Sequence, residues 1–211
     1  DKCPKPDKKN RLGEIILKHY APAHYAVGMH FKRYDGSIFT PIIRKEIRQL
    51  NPIQLGHYTV YLPAVGTTQL LNQIPDIRWE VFSRDIRYTR IEKNITIRPI
   101  QNDVFIQSLA TCKGLLTGAG FESPAEAMYL NKKVFVIPIE GQYEQLCNAC
   151  SLNDFGIESA SFQDSNLLEK IQKWVNQSLS IEVNYPDLTQ EILEKILFNQ
   201  SSFKINSQIA G

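Results

Sequence analysis

Gly114-Leu115-Leu116-Thr117-Gly118-Ala119-Gly120-Phe121-Glu122-Ser123-Pro124-Ala125-Glu126-Ala127 opens the stretch that decides the fold, and Val134-Phe135-Val136-Ile137-Pro138 and Glu144-Gln145-Leu146-Cys147-Asn148-Ala149 complete it. It reads as strand, glycine-bearing turn, helix, strand, polar loop, helix, a βαβα run that builds a parallel sheet with ligand loops at its strand ends. The strand Gly114 to Thr117 runs into Gly118-Ala119-Gly120, where minimal side chains let the backbone turn sharply and come close to a ligand. Ser123 is placed to cap the helix, Pro124 suits its first position, and Glu126, three residues after Ser123, completes a capping-box pattern. The free N–H groups at such a helix start form an anion site best suited to phosphate. An ordinary capped helix in an α/β domain accounts for the same residues.

The order of these motifs resembles the donor-binding half of nucleotide-sugar-dependent glycosyltransferases of the GT-B fold, in both their plant-type and peptidoglycan-type members. The resemblance covers roughly residues 56 to 180. It implies that Gly118, Ala119, Gly120, Phe121, Glu122 and Ser123 hold the donor diphosphate, that Glu126 binds the ribose hydroxyls, and that Glu144 and Gln145 bind the sugar hydroxyls. The chemistry suits each role, since a carboxylate accepts from a cis-diol and an acid beside an amide offers both acceptors and donors. Many relatives carry His or Arg where this chain has Gly118, so here the backbone or another cation must meet the phosphate charge. The usual Gly-Lys-Pro after the helix is Asn131-Lys132-Lys133, and Asn131 is the next best residue after glycine for a left-handed helix terminus.

At 211 residues with 43% hydrophobic content, the chain fits one large domain, or one domain with a fragment of another. Its formal net charge of +2, with both signs mixed along the chain, points away from a nucleic-acid surface or a polybasic membrane stripe. The four cysteines, Cys3, Cys112, Cys147 and Cys150, are too scattered for a secreted disulfide framework and read as free thiols of a cytoplasmic protein. Cys147 and Cys150 have no second ligand pair at zinc spacing, so no metal is expected. No apolar run is long enough to span a bilayer, and no signal peptide is read. The start on Asp1-Lys2-Cys3-Pro4, without Met, predicts that a leading portion is missing.

Taken in order, residues 1 to 13 read as a flexible connector. Tyr25 to Phe31 reads as a strand, Tyr34 to Ser37 as a turn, and Ile38 to Ile42 as a second extended piece interrupted by Pro41. Residues 1 to 57 are therefore either the connector and tail of a missing N-terminal acceptor domain, as the resemblance implies, or a hairpin added to the domain's own sheet. His30 reads as a structural partner, because no acid lies near it in sequence. From Gly56 an α/β rhythm begins: strand Tyr58 to Leu62, turn Gly66 to Thr68, short helix Gln69 to Ile74, strand Arg78 to Ser83. Thr67 and Thr68 are a second phosphate candidate, and by themselves a helix cap. Arg84, Arg87 and Arg90 read as a solvated run, with Arg84 a candidate for the nucleotide. Ile95 to Ile100 is the next strand, ahead of a helix from Asp103 to Cys112. The resemblance implies that the backbone of Ile100, after Pro99, pairs with a uracil edge. Amphipathic helices follow at 165 to 180 and 187 to 198, and a polar tail closes the chain at 201 to 211.

These readings predict an α/β chain with a Rossmann-like, doubly wound parallel sheet, one GT-B half, whose donor domain spans 58 to 200. Its ligand would be a nucleotide sugar, most naturally UDP-linked, used as substrate with no cofactor. The enzyme would be a hexosyl- or N-acetylhexosaminyltransferase in which this portion is inactive alone, with the catalytic residue unassigned. Expected partners are the nucleotide sugar and the N-terminal acceptor domain, with peripheral membrane association of the full-length protein compatible and nucleic acid not. A UDP-sugar epimerase of the same fold, or a nucleotide-sugar-binding module without chemistry, are the alternatives.

Overall fold

The computed structural model describes residues 3–7, 10–19, 27–62, 64, 66–178 and 181–197. In chain order the elements are α1 (Arg11–His19), β1 (Gly28–Met29), β2 (Ile38–Phe39), α2 (Lys45–Arg48), β3 (His57–Tyr61), α3 (Thr67–Leu71), β4 (Arg78–Ser83), β5 (Arg90–Glu92), β6 (Ile95–Pro99), α4 (Asn102–Thr111), β7 (Gly114–Thr117), α5 (Glu122–Tyr129), β8 (Lys133–Val136), α6 (Tyr143–Asn153) and α7 (Leu167–Asn176). Residues 189–197 are also helical.

Six strands form one sheet in the order β5-β6-β4-β3-β7-β8. All neighbours are parallel except β5, which runs antiparallel along β6. Numbered along the chain, the five parallel strands lie 3-2-1-4-5, the order of a doubly wound sheet. The winding reverses between β3 and β7, which pair from Tyr58↔Gly114 to Tyr61↔Thr117. Loops leaving the carboxyl ends of these two strands diverge to opposite faces, and the crevice they leave is where such sheets bind ligands.

Side-chain alternation builds both faces of the sheet. Leu115, Val134 and Val136 pack with Leu109 of α4, Met128 of α5 and Leu152 of α6. Leu116, Phe135, Val60, Val81 and Ile97 face the other way, against Leu71 of α3 and Ile171 and Trp174 of α7. A parallel sheet needs this double covering, and its strands accordingly read as short, nearly unbroken apolar runs. The expected burial of one side of the 165 to 180 helix is met by Leu167, Ile171 and Trp174. Of the 187 to 198 stripe, Ile192 is buried, while Leu193 and Leu197 are exposed.

Helix α5 starts at Glu122 with Phe121 as its cap and has no side-chain cap bond, so the expected Ser123 capping box does not form. Pro124 is harmless inside the first turn, where N–H groups have no intrahelical partner, and Glu126 is drawn away to an ion pair described below. The far end matches expectation. Asn131 adopts φ 55, its N–H reaches Met128 O at 2.9 Å, and that of Lys132 reaches Ala127 O at 2.8 Å, the paired closure of a left-handed helix end. The Lys132 side chain then runs inward, donating to Ile53 O at 2.7 Å and Cys112 O at 2.9 Å. Burial holds its ammonium below the usual lysine range.

Several expectations change in the first third and at the sheet edge. Residues 11 to 19, part of them read as connector, form α1, which meets α6 where Tyr143 Oη donates to Glu14 at 3.3 Å. The strand expected from Tyr25 to Phe31 shrinks to β1, with residues 25 and 26 outside the described set. It pairs with β2 in parallel as a separate two-stranded sheet, rather than as a hairpin on the main one. Arg90, read as loop, begins the edge strand β5. Residues 181 to 197 return to this region: the Tyr185 hydroxyl donates to Phe31 O at 2.9 Å, and Lys195 lies 5.0 Å from the Phe39 ring centre.

Candidate functional site

The residues singled out for ligand contact lie at the carboxyl rim of the sheet, except Glu126, which sits in the second turn of α5. Thr67 and Thr68 follow β3, Arg84 follows β4, Ile100 follows β6, Gly118 to Ser123 follow β7, and Glu144 and Gln145 open the helix that follows β8. The reversal between β3 and β7 puts the first and fourth of these loops on either side of the crevice.

The glycine-rich turn is held from above by α6. Gln145 Oε1 accepts from the backbone N–H of Ala119 and from that of Ile139, both at 3.0 Å, so one amide oxygen ties the loop after β7 to the loop after β8. Its Nε2 donates to Gln142 Oε1 at 2.7 Å. Asn148, one turn further along α6, donates to Ala119 O at 3.0 Å. Neither Gly118 nor Gly120 uses the left-handed region. The requirement at Gly118 is clearance, since a Cβ there would lie 3.2 Å from Gln145 Oε1. Gly120 faces open space, leaving room for a ligand beside the head of α5. Gly66, in the opposite loop, does need its glycine: it takes φ 93 as the cap of α3. Thr67 Oγ1 donates to Ala64 O at 2.7 Å, and Thr68 Oγ1 donates to Gln69 Oε1 at 3.1 Å.

Glu126 has a partner that sequence reading missed. It is 4% exposed, and Arg44 grips it bidentately, Nε to Oε1 at 2.6 Å and Nη2 to Oε2 at 2.9 Å. Arg44 Nη1 also donates to Asn102 Oδ1 at 3.0 Å, at the head of α4. The bond to Glu126 raises the Arg44 pKa above its already high value, with Glu122 at the head of α5 adding to the effect. Arg44 comes from the connector before the α/β repeat, and no local motif links it to a glutamate so far away along the chain.

Glu144, Arg84 and Ile100 are exposed on the rim. Glu144 borders a cleft of about 800 Å³ that Phe121, Met29, His30, Tyr143 and Asn148 also line. A second cavity of about 260 Å³ lies between the residues that follow β3 and β8, lined by Leu62, Ala64, Ile137, Pro138 and Phe162. His30 is structural in its bonding: Nδ1 accepts from Phe31 N–H at 2.9 Å, and Nε2 sits 3.2 Å from Ser151 Oγ. Burial lowers its pKa, with Asp154 opposing the shift. Among the described residues, no three His, Cys, Asp or Glu side chains are grouped to hold a metal ion, and no helix is long and apolar enough to cross a membrane.

No curated protein matches the sequence. Solved structures that match include the glycosyltransferase of kitacinnamycin, at 14% identity over 66% of this chain and 40% of that one with a TM-score of 0.46. SnogD from Streptomyces nogalater matches at 16% identity over 79% and 49%, TM-score 0.40, and the spinosyn rhamnosyltransferase SpnG at 13% over 74% and 45%, TM-score 0.41. The chain spans less than half the length of each of these proteins. A family model described as glycosyl transferase family 1 matches residues 7–177, most of the chain, and the protein belongs to that family.

Proposed function

We propose that this chain is the donor-binding portion of a glycosyltransferase and that its ligand is a nucleotide sugar, with UDP as the nucleotide. The observation that carries the proposal is the convergence of five loops on one rim, with the glycine-rich turn and head of α5 on one side of the switch point and Gly66 to Thr68 on the other. In this reading the backbone N–H groups around Gly120 to Ser123 and the positive end of α5 receive the diphosphate and stabilise it as it leaves. Glu126 accepts from the ribose hydroxyls, Ile100 and Arg84 meet the base, and Glu144 with Gln145 orient the sugar, so that its anomeric carbon is presented in a fixed pose. The acceptor would be held by a separate N-terminal domain, and transfer of a hexosyl or N-acetylhexosaminyl group would need both portions. A cytoplasmic setting, with peripheral membrane association of the full-length protein, fits this assignment.

Calorimetric titration with UDP, ADP and a panel of UDP-sugars tests it. UDP is expected to bind more tightly than ADP, and one UDP-sugar more tightly than the others. Equal, weak binding of all nucleotides would show that the rim does not read the base, and the proposal would fall.

A further inference from the structure

The Glu126 carboxylate is fully engaged within the chain. Both carboxylate oxygens are taken by one guanidinium, and the residue is 4% exposed. Arg44 is the movable half of the pair, since its side chain keeps 41% of its exposure. Its backbone is anchored: the Arg44 carbonyl accepts from Ile47 N and Arg48 N, both at 3.1 Å, and the neighbours Ile43 and Ile47 are buried. The guanidinium can therefore leave Glu126 by side-chain rotation alone. Glu122, four residues before Glu126 and so on the same face of α5, already acts electrostatically on Arg44. A shift of one helical turn, about 5.4 Å, takes the charge from Glu126 to the helix head beside the open space at Gly120.

We propose that Arg44 is the exchangeable cation of the nucleotide site. It occupies the Glu126 carboxylate when the site is empty, and it passes to the diphosphate when a nucleotide enters and the ribose diol takes its place on Glu126. The proposal rests on the donor-binding reading above. The exchange is chemically matched on both sides: a guanidinium fork fits phosphate oxygens as it fits a carboxylate, and two ribose hydroxyls replace the two N–H donors that Glu126 gives up. The glycine-rich turn carries no cation of its own, and Arg44 supplies one from outside the α/β repeat. The device also discriminates between ligands. A nucleoside without phosphates must break the ion pair and leaves the guanidinium only the exposed carboxylates of Glu122 and Glu46, whereas a nucleoside diphosphate replaces what it breaks.

The test is titration of the wild-type chain, Arg44→Gln and Arg44→Lys with uridine and with UDP, alongside thermal melts. In Arg44→Gln, uridine is expected to bind about threefold more tightly, because no ion pair has to open, and UDP about tenfold more weakly, so that the preference for UDP shrinks about thirtyfold. Arg44→Lys, whose ammonium grips a carboxylate less well, should move the ratio in the same direction by a smaller factor, and it carries the test alone if Arg44→Gln does not fold. Parallel weakening of both ligands would show that Arg44 only orients Glu126 and would overturn the exchange. Unchanged affinities for both ligands would make Arg44 a bystander, also overturning the exchange while leaving UDP binding itself intact. If the wild type binds neither ligand, the donor-binding reading fails and the exchange fails with it.

Discussion

Replacing Gln145 with alanine removes one oxygen that ties two loops together. Gln145 Oε1 accepts from Ala119 N and Ile139 N, so the variant leaves both half-buried N–H groups without their acceptor. At about 0.5–1.5 kcal/mol net per neutral hydrogen bond, the stability loss should be about 1–3 kcal/mol. For a chain of this size each kcal/mol moves the melting temperature by roughly 2–4 °C, so a fall of about 6 °C is expected. If Gln145 also meets the donor sugar, affinity for the preferred UDP-sugar should drop by a further ~0.5–1.5 kcal/mol while UDP is spared. Gln145→Glu separates the two roles. Its carboxylate can still accept from both N–H groups, so the melt should recover. The added charge would repel the diphosphate, by up to about 3 kcal/mol at ~5 Å in a medium of effective dielectric ~20, and UDP itself should weaken. Differential scanning fluorimetry and calorimetric titration on the three proteins give both numbers. A Gln145→Ala variant that melts with the wild type would refute the tie between the loops, and parallel loss of UDP and UDP-sugar would refute the assignment to the sugar.

Glu126→Ala should weaken UDP by about 1.5–3 kcal/mol, as for hydrogen bonds to a charged group, with a smaller loss of stability because the half-exposed Arg44 can turn to water; normal UDP affinity with an early melt would make Glu126 purely structural. Asn148→Ala removes the buried donor to Ala119 O, and chemical denaturation should report a loss of about 1–3 kcal/mol, whereas an unchanged midpoint would mean the turn holds its shape without it. Stability should fall on acidification. Burial holds the folded pKa of His30 and of His57 below the ordinary 6.5, so both contribute fully above pH 6.5, and their contribution is lost as pH falls through the folded values, where the unfolded chain takes up protons first. Urea midpoints at pH 7.5, 6 and 5 should decline for the wild type and decline less for His57→Gln; identical slopes would remove His57 from the account.

The legible part of this fold was the part written locally. Leu115 and Leu116 sit next to each other and pack on opposite faces, which is what an unbroken apolar run bounded by glycine signals in a doubly covered sheet. Asn131 announced a helix end by its tolerance of positive φ, and the chain closes there as expected. Edge strand β5 was not legible, because Arg90-Ile91-Glu92 carries two charges and its Ile91 is exposed, so neither alternation nor burial marks it. The start of α5 was misplaced because Ser, Pro and Glu at the right spacing describe a capping box only if Glu126 has nothing better to bind. Its partner Arg44 lies 82 positions away, and no period or motif spans that distance. Helix α1, by contrast, was legible and missed: Leu12, Ile15 and Ile16 recur at helical spacing, although all three are exposed.

The two surprises of the rim share one cause. A buried or half-buried polar group cannot wait for its ligand unpaired, since an unsatisfied donor or acceptor costs about 1–3 kcal/mol. Such groups on this rim are satisfied by its own side chains: Arg44 donates to Glu126, and Gln145 accepts from Ala119 and Ile139. The two stand-ins differ in what they allow. Gln145 holds two backbone N–H groups with a single oxygen and is itself braced by Gln142, so opening it breaks three bonds at once. Arg44 hangs on a fixed backbone with its side chain half in solvent, and besides Glu126 it donates to the exposed Asn102. The rim is thus stiff where the sheet loops meet and yielding at the head of α5, where the proposed exchange of partners would take place.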